Sequence, residues 1–199
     1  LNIKDYPALE KYFLDNFDIR HLEQSGKKYP ELGFNARKKT GNKWFETQDQ
    51  IAYYQEFEKE RVVWQELAQG SQFDYDEIGE FFVTNTGYIL TGENLKYLLG
   101  YLNSKLNEFA YEKWYCTKLG EKGTRWLNQH VVNISIPSII SFNNIIVKKI
   151  ETLVDKILAA KKQNSQADTI EWEREIDELV YQLYDLNYDE IEIIEKGTS

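Results

Sequence analysis

The sequence predicts an α+β fold, because helix-like and strand-like patterns occur in separate blocks and do not alternate. Apolar residues recur every three or four positions near the N-terminus, over residues 93–109, and again from residue 143 onwards. Between the first two segments the chain is rich in β-branched and aromatic residues. The composition, 42% hydrophobic with only 3 prolines in 199 residues, is that of a folded protein. We expect a small mixed β-sheet, a scaffold helix and a C-terminal helical hairpin.

The N-terminal part of the chain predicts a helix followed by a basic loop. Aromatic residues and a leucine recur at helical spacing over residues 6–24, and Pro7 suits the first turn of a helix. Residues 25–44 are rich in Gly, Asn and Thr, which favours a loop. This loop holds one acid, Glu31, and six basic residues: Lys27, Lys28, Arg37, Lys38, Lys39 and Lys43.

The middle of the chain changes from strand-like to helix-like patterns. Strands are predicted at 61–67 and 71–76, and two short strands around a turn are predicted at 80–92. One helix of about four to five turns is predicted over 93–109, because its leucines share one face. Residues 128–139 predict a further strand that a proline ends.

A second basic loop precedes that last strand. The segment 115–126, "YCTKLGEKGTRW", contains two glycines and has aromatic residues beside it. Glycine permits close backbone approach to a ligand, so both basic loops are candidates for phosphate contact. From residue 113 to residue 125 the only acid is Glu121, against Lys113, Lys118, Lys122 and Arg125.

The C-terminal part predicts a helical tail. Helices are indicated over 143–162 and 168–184, and "NYDE" has the spacing of a capping box that opens a short last helix. Their apolar faces need partners, which could be one another, the N-terminal helix or another subunit. We therefore predict a recognition domain at 1–142 and a helical stem at 143–199. An assembly domain that forms a homodimer through this stem stays open as an alternative function.

The net charge of −9 does not exclude a nucleic-acid partner, because the acid is concentrated in the tail. Residues 165–195 hold 11 of the 33 acidic residues and one of the 24 basic residues. The rest of the chain therefore carries a formal charge of +1. Local charge sets the field at a binding surface, and the two basic loops lie outside the acidic segment.

Motifs of catalysis and metal binding are absent from the sequence. Without a glycine-rich nucleotide loop, a CxxC pair or an HxxxH pair, neither a zinc site nor a cofactor-binding domain is expected. Cys116 fits a packed thiol better than a nucleophile. A divalent-metal nuclease stays open, since "FDYDEIGE" concentrates four carboxylates, although four acids in one turn favour a solvated hairpin tip. These are Asp74, Asp76, Glu77 and Glu80.

Several longer stretches together resemble a known family. They are "KWFETQDQIAYYQEFEKERVVWQEL", "TGENLKYLLGYLNSKLNEFAY", "GTRWLNQHVVNISIPSI" and "EREIDELVYQLYDLNYDEIEIIE", after the lead-in "IKDYPALEKYF". In this order they are similar to the C-terminal specificity domain of TaqI-like adenine-N6 DNA methyltransferases, which also ends many fused type II restriction–modification enzymes. The specificity subunits of type I systems share its plan of a recognition domain leading to a helical stem.

The resemblance implies a target recognition domain that binds duplex DNA. In that family a preceding Rossmann-like domain binds S-adenosylmethionine and methylates adenine. The methyltransferase signature, Asn or Asp before two prolines and an aromatic residue, is absent, so this chain alone is not expected to be an enzyme or to hold a cofactor. The two basic loops would straddle the duplex, with lysines on phosphates. Arg37 and Arg125 are the candidates for base edges, although Arg125 lies in a recurrent segment and a structural role is its alternative. The implied DNA-binding residues are Lys27, Lys28, Arg37, Lys38, Lys39, Lys43, Trp44, Lys118, Lys122 and Arg125.

The remaining features of the sequence indicate where in the cell the protein is expected. The chain contains no methionine, and we expect it to be a segment of a longer polypeptide. No apolar run approaches the roughly 18–20 residues that a membrane span needs, and the N-terminus does not resemble a signal peptide. A single cysteine suits a reducing compartment. We therefore expect a cytoplasmic protein without a membrane partner.

Overall fold

The computed structural model describes residues 2–49, 53–79, 82–116 and 123–198. The chain divides into two compact units, Leu1–Gln55 and Glu56–Ser199. Helices and short strands occur in both, which confirms the α+β class. Across the described ranges the strands form three small antiparallel sheets, whereas the sequence pattern predicts one mixed sheet.

The first unit is built from short elements that are held together by turns and polar contacts. A 3-10 turn at Ile3–Asp5 precedes its first helix. Its helices are α1 (Pro7–Asn16) and α2 (Ile19–Leu22), and its strands are β1 (Lys28–Tyr29) and β2 (Phe34–Asn35).

The prediction of one helix over 6–24 is wrong at its centre. Phe17 adopts extended backbone angles, φ −136° and ψ 145°, and ends α1. Asp18 then begins α2 as its N-cap, because its carboxylate accepts a hydrogen bond from the Arg20 N–H. The apolar face of α1 is not a core face either, since none of its residues is buried and Tyr12 is 55% exposed.

The second unit contains the main core. A 3-10 turn at Tyr54–Glu58 includes the point of the chain where this unit begins and precedes its first strand. Its strands are β3 (Arg61–Gln65), β4 (Leu67–Ala68), β5 (Phe73–Asp76), β6 (Gly87–Leu90) and β7 (Thr124–Arg125). Its helices are α3 (Leu95–Leu102), α4 (Lys105–Trp114), α5 (Asn128–Val131), α6 (Asn144–Gln163), α7 (Ile170–Leu183) and α8 (Tyr188–Gly197).

The strands predicted at 61–67 and 71–76 are confirmed as β3 to β5, and two other strand predictions need correction. β3 is the centre of the sheet β5-β3-β6, and Val62 pairs with both Tyr75 and Leu90. Of the two strands predicted over 80–92, only β6 forms among the residues described there. The prediction of a strand at 128–139 is wrong. The helix α5 occupies the first four of these residues, and the residues after α5 pair with no strand of the described chain.

The scaffold helix predicted over 93–109 is two helices. The Asn103 side chain leaves the helical pattern to exchange hydrogen bonds with the backbone N–H and C=O of Phe73, at 3.0 and 2.8 Å. Ser104 then caps α4 by accepting from the Asn107 N–H. Asp177 of α7 accepts from the first N–H of α4, at Lys105, at 2.8 Å. The break therefore depends on polar partners far away in sequence.

Aromatic side chains fill the core between the sheets and α4. The rings of Tyr111 and Trp126 stack at 3.9 Å between centroids, and both residues are only 1% exposed. The indole N–H of Trp64 donates to the backbone C=O of Trp126, and the indole N–H of Trp126 donates to Gly70, both at 3.0 Å. Each buried ring contributes apolar burial while its polar edge stays satisfied.

The C-terminal tail packs on α3 within the second unit. A Cβ on Gly100 of α3 would lie 2.6 Å from Cγ2 of Ile150 and 3.1 Å from Cγ2 of Val154, so only glycine permits this approach of α6. The predicted tail helices are confirmed as α6 and α7, which pack together as a hairpin. The predicted capping box is confirmed at the start of α8, where Asn187 and Glu190 exchange hydrogen bonds. The functional boundary at residue 142 stays a prediction.

Among the residues that the structure describes, no helix has both the length and the apolar character needed to cross a membrane.

Candidate nucleic-acid interface

The basic segment that the sequence predicts as a loop contains a short antiparallel hairpin. Its register is set by β1 and β2. Two backbone hydrogen bonds extend the pairing: Gly26 N–H donates to the Arg37 C=O, and Ala36 N–H donates to the Lys27 C=O, both at 2.9 Å. Residues 26–39 are termed the basic hairpin.

Four lysines of the basic hairpin are exposed. Across the described ranges none of their side chains forms an ion pair or a hydrogen bond with another residue. Like charges on so short a hairpin repel one another, and an anionic ligand would offset that repulsion. They are Lys27, Lys28, Lys38 and Lys39.

Gly26 allows the two arms of the basic hairpin to approach closely. Its φ of +68° lies in the left-handed region that favours glycine. A Cβ at this position would lie 3.2 Å from the Cβ of Lys39, a tight contact. Glycine therefore keeps the lysines of both arms within one small surface.

The segment after the hairpin, residues 40–47, is termed the clamped loop because buried polar groups hold its backbone. The main group is Gln24, whose side chain is buried with 6% of the residue exposed. Its amide N–H groups donate to the C=O of Lys43, Glu46 and Thr47 at 3.1, 2.8 and 3.2 Å, and its oxygen accepts from the Thr40 hydroxyl at 2.5 Å. One side chain thus organises the whole loop without a ligand.

Arg37 is the second clamp on this loop. Its Nε and Nη2 donate to the Leu22 C=O at 2.8 and 2.6 Å, its Nη2 also donates to Trp44 at 2.6 Å, and its Nη1 donates to Glu46 at 3.1 Å. A guanidinium has five N–H donors, so these bonds leave few for a base edge. Base reading by Arg37 stays a prediction, and the geometry gives this residue a loop-organising role.

Trp44 forms part of an aromatic framework beside the clamped loop. Its half-buried ring contacts Phe13 and Phe45 edge-to-face, with centroids 5.9 and 5.4 Å apart. The Lys43 ammonium lies over the Phe45 ring, 5.5 Å from its centroid. DNA contact by Lys43 and Trp44 stays a prediction. Their contacts with aromatic rings hold both side chains in place.

The second basic region is only partly described. Lys118 and Lys122 lie outside the described residues. Arg125 lies on β7, where its guanidinium forms an ion pair with Glu66. That hydrogen bond to Glu66 holds the pKa of Arg125 above its ordinary value. Contact of Arg125 with a base stays a prediction and would require this pair to open.

Among its described residues, the acidic cluster for which the sequence left a nuclease open forms no metal site. Asp76 is 5% exposed and pairs with the fully buried Arg61 at 2.5 Å, so the prediction of a solvated tip is wrong for Asp76. Asp74 and Glu77 are exposed, and Glu80 lies outside the described residues. No group of three or more His, Cys, Asp or Glu in the described part of the chain could hold a metal ion.

Gln24 is the residue of this site that sequence reasoning misses. It belongs to no motif, and a single glutamine before a Ser-Gly pair resembles an ordinary loop residue. Its acceptors lie 19 to 23 residues further along the chain, so no local pattern indicates the clamp.

Exposed lysines that have no ion pair among the described residues lie beside a preformed loop, and together they define a surface of the class that binds polyanions. The comparison with protein families agrees with this class. Residues 10–136, more than half of the chain, match the TaqI-like C-terminal specificity domain, and the chain belongs to that family. The family places the chain in DNA target recognition in a methyltransferase context, and a specificity domain is not the catalytic part. No curated protein matches the chain.

The matched region relates directly to the site. It includes the basic hairpin, the clamped loop and every described strand, and it ends before α6. The helices α6 to α8 therefore lie outside the part of the chain that the family accounts for.

Proposed function

We propose that this chain is the sequence-specific duplex DNA recognition module of a restriction–modification adenine methyltransferase. In this role it positions the target for a catalytic domain that is not part of the chain. The observation that carries the proposal is the basic hairpin, whose four exposed lysines have no carboxylate partner in the described chain and adjoin a loop that Gln24 and Arg37 hold in place. Family membership supplies the class of ligand.

The geometry supports two separate roles at this surface, phosphate binding by the lysines and base readout by the clamped loop. Lysine ammonium groups bind phosphates as point charges and carry little sequence information. Specificity needs side chains held in a defined position against base edges. The clamped loop offers such positions because its backbone is ordered before any ligand binds, which lowers the entropy lost on binding. With Arg37 engaged by backbone carbonyls, base readout would depend on exposed side chains of the loop other than its lysine.

A salt titration tests phosphate contact by the basic hairpin. Binding of a labelled duplex is measured by fluorescence anisotropy between about 50 and 200 mM salt. Replacing Lys27, Lys28, Lys38 and Lys39 by alanine should reduce the slope of log K against log salt by about 3 to 4, since each phosphate contact contributes about 0.9.

A matched variant controls for net charge. Four other exposed lysines each form a surface ion pair with a carboxylate, so their replacement by alanine should leave the salt slope unchanged. They are Lys4, Lys11, Lys59 and Lys196. Equal slopes for the two variants, or a wild-type chain that binds no duplex at the lowest salt, would contradict the proposal.

Sequence specificity and catalysis have separate tests. Repeated selection from a random duplex pool should enrich one motif, and a pool that stays random would limit the function to non-specific binding. S-adenosylmethionine would be bound by the catalytic domain outside this chain. The chain incubated with labelled S-adenosylmethionine and duplex should therefore transfer no methyl group, and any transfer would assign chemistry to the chain itself.

A further inference from the structure

α6 carries an exposed basic stripe on the side away from its buried residues. Lys148, Lys149 and Lys156 are exposed, and with Thr152 they fall within an arc of about 100° at 3.6 residues per turn. In the described part of the chain none of these lysines forms an ion pair. Ile145 lies on the same arc and is 71% exposed. The three lysines are termed the basic stripe.

α7 carries a matching acidic stripe. Glu171, Glu175 and Glu178 are exposed and fall within an arc of about 60°. These carboxylates also lack an ion pair among the described residues. Arg174 is the only cation of α7, and its charge helps to lower the pKa of Glu195 on α8. The three glutamates are termed the acidic stripe.

The two stripes have similar lengths and lie on neighbouring helices. At about 1.5 Å per residue, the basic stripe rises about 12 Å from Lys148 to Lys156, and the acidic stripe rises about 10 Å from Glu171 to Glu178. α6 and α7 pack against each other through their apolar faces, which leaves both stripes outside the hairpin. Among the described residues of one chain, the opposite charges of the two stripes therefore stay unpaired.

We infer that α6 and α7 form a docking surface for a second copy of this chain. The basic stripe of each copy would face the acidic stripe of the other. A two-fold axis repeats every contact, so one interface would contain this complementary pairing twice. The exposed side chain of Ile145 would add apolar burial to the charge pairing. The inference does not depend on DNA binding by the basic hairpin.

A DNA duplex fits the basic stripe less well than a second copy does. Helices in contact lie about 8–10 Å apart, and the screening length at physiological salt is about 8 Å. The acidic stripe would therefore repel phosphates bound on α6. The same acidic stripe is what a second copy of the chain needs, so the observed charge pattern favours self-association.

Charge reversal with rescue tests the interface. Molar mass is measured by sedimentation of the full chain at roughly 100 μM, where an interface with a Kd near about 10 μM is mostly formed. The wild-type chain should have twice the mass of one chain. The variant K148E/K149E/K156E and the variant E171K/E175K/E178K should each dimerise at least about tenfold more weakly, because both would place like charges across the interface.

Mixing the two variants provides the control. The mixture should form a heterodimer, because the reversed, acidic α6 of the first variant faces the reversed, basic α7 of the second. The unchanged stripes of the two variants face each other as well, so every pair has opposite sign. A misfolded variant could not be rescued in this way, so recovery of the dimer excludes a loss of structure. A monomeric wild-type chain, or a dimer that both charge reversals leave intact, would overturn the inference. A loss of duplex binding in K148E/K149E/K156E without a change in mass would instead assign the basic stripe to DNA.

Discussion

Replacing Gln24 by glutamate tests whether one buried amide holds the clamped loop together. The substitution keeps the size of the side chain but replaces the N–H donors by an oxygen. Two to three hydrogen bonds to loop carbonyls are then lost, at about 1 kcal/mol each. A carboxylate buried against carbonyl oxygens adds a desolvation cost, so we expect the loop to lose at least about 3 kcal/mol.

Amide hydrogen exchange measures this loss locally. The N–H groups of Thr40, Asn42, Lys43 and Glu46 all have acceptors in the folded loop, at Gln24, Thr40, Glu46 and Lys43 respectively. In Gln24→Glu their protection should fall by about 100-fold or to the level of an open chain, as about 3 kcal/mol implies. In the wild-type chain the same amides should be protected without DNA.

A second glutamine controls for charge. Gln48 is half-buried and makes no side-chain hydrogen bond among the described residues, so Gln48→Glu should leave exchange in the clamped loop unchanged. If Gln24→Glu preserved the protection of the four amides, or if both variants lowered it equally, the clamp would not be the cause of loop order.

Two further predictions concern buried charge in the second unit. Arg61→Leu leaves Asp76 buried without its cation and should lower the free energy of unfolding by about 3–5 kcal/mol in urea, while the double variant with Asp76→Leu should lose less than the sum of the single losses. Strictly additive losses would contradict coupling of the pair. Burial raises the pKa of Asp177 to about 6 from its ordinary value of 3.8, although the hydrogen bond from the Lys105 N–H opposes the shift. The folded state therefore holds a proton that the unfolded state releases, and this group lowers stability as pH rises from about 4 through 6. Asp177→Asn, which still accepts from Lys105, should be more stable than wild type at pH 7 by about 1–2 kcal/mol and should flatten that pH dependence in urea titrations, and parallel pH curves would refute the assignment.

Long periodic segments were predictable because their signal is local. α6 and α7 follow from apolar residues repeated over several turns, and the capping box of α8 follows from two side chains three positions apart. The segments 93–109 and 128–139 were not predictable in the same way. The break between α3 and α4 depends on two hydrogen bonds that the Asn103 side chain exchanges with the backbone N–H and C=O of Phe73, and on one that the Lys105 N–H donates to Asp177. Phe73 and Asp177 lie outside the segment 93–109, so the periodicity of that segment does not indicate either of them.

The same distinction between local patterns and distant contacts applies to the candidate site. Composition and spacing located the cations of the basic hairpin, because clustered lysines are visible in the chain without any fold. They did not reveal that Arg37 donates to carbonyls of Leu22, Trp44 and Glu46, since a guanidinium has the same sequence signature whether it reads a base or holds a loop. Gln24 had no signature at all.

The sequence by itself determined the α+β class, the position of the basic and acidic segments, the C-terminal helices and the family. Each of these depends on composition or on residues close together in the chain. Only the tertiary structure decided which charges are available to a ligand. Arg61 and Asp76 neutralise each other in the core, and Arg125 pairs with Glu66, whereas the lysines of the basic hairpin have no carboxylate partner in the described chain. The physical reason is that an ion pair or a buried hydrogen bond depends on distances of a few ångströms between residues that folding brings together from distant positions.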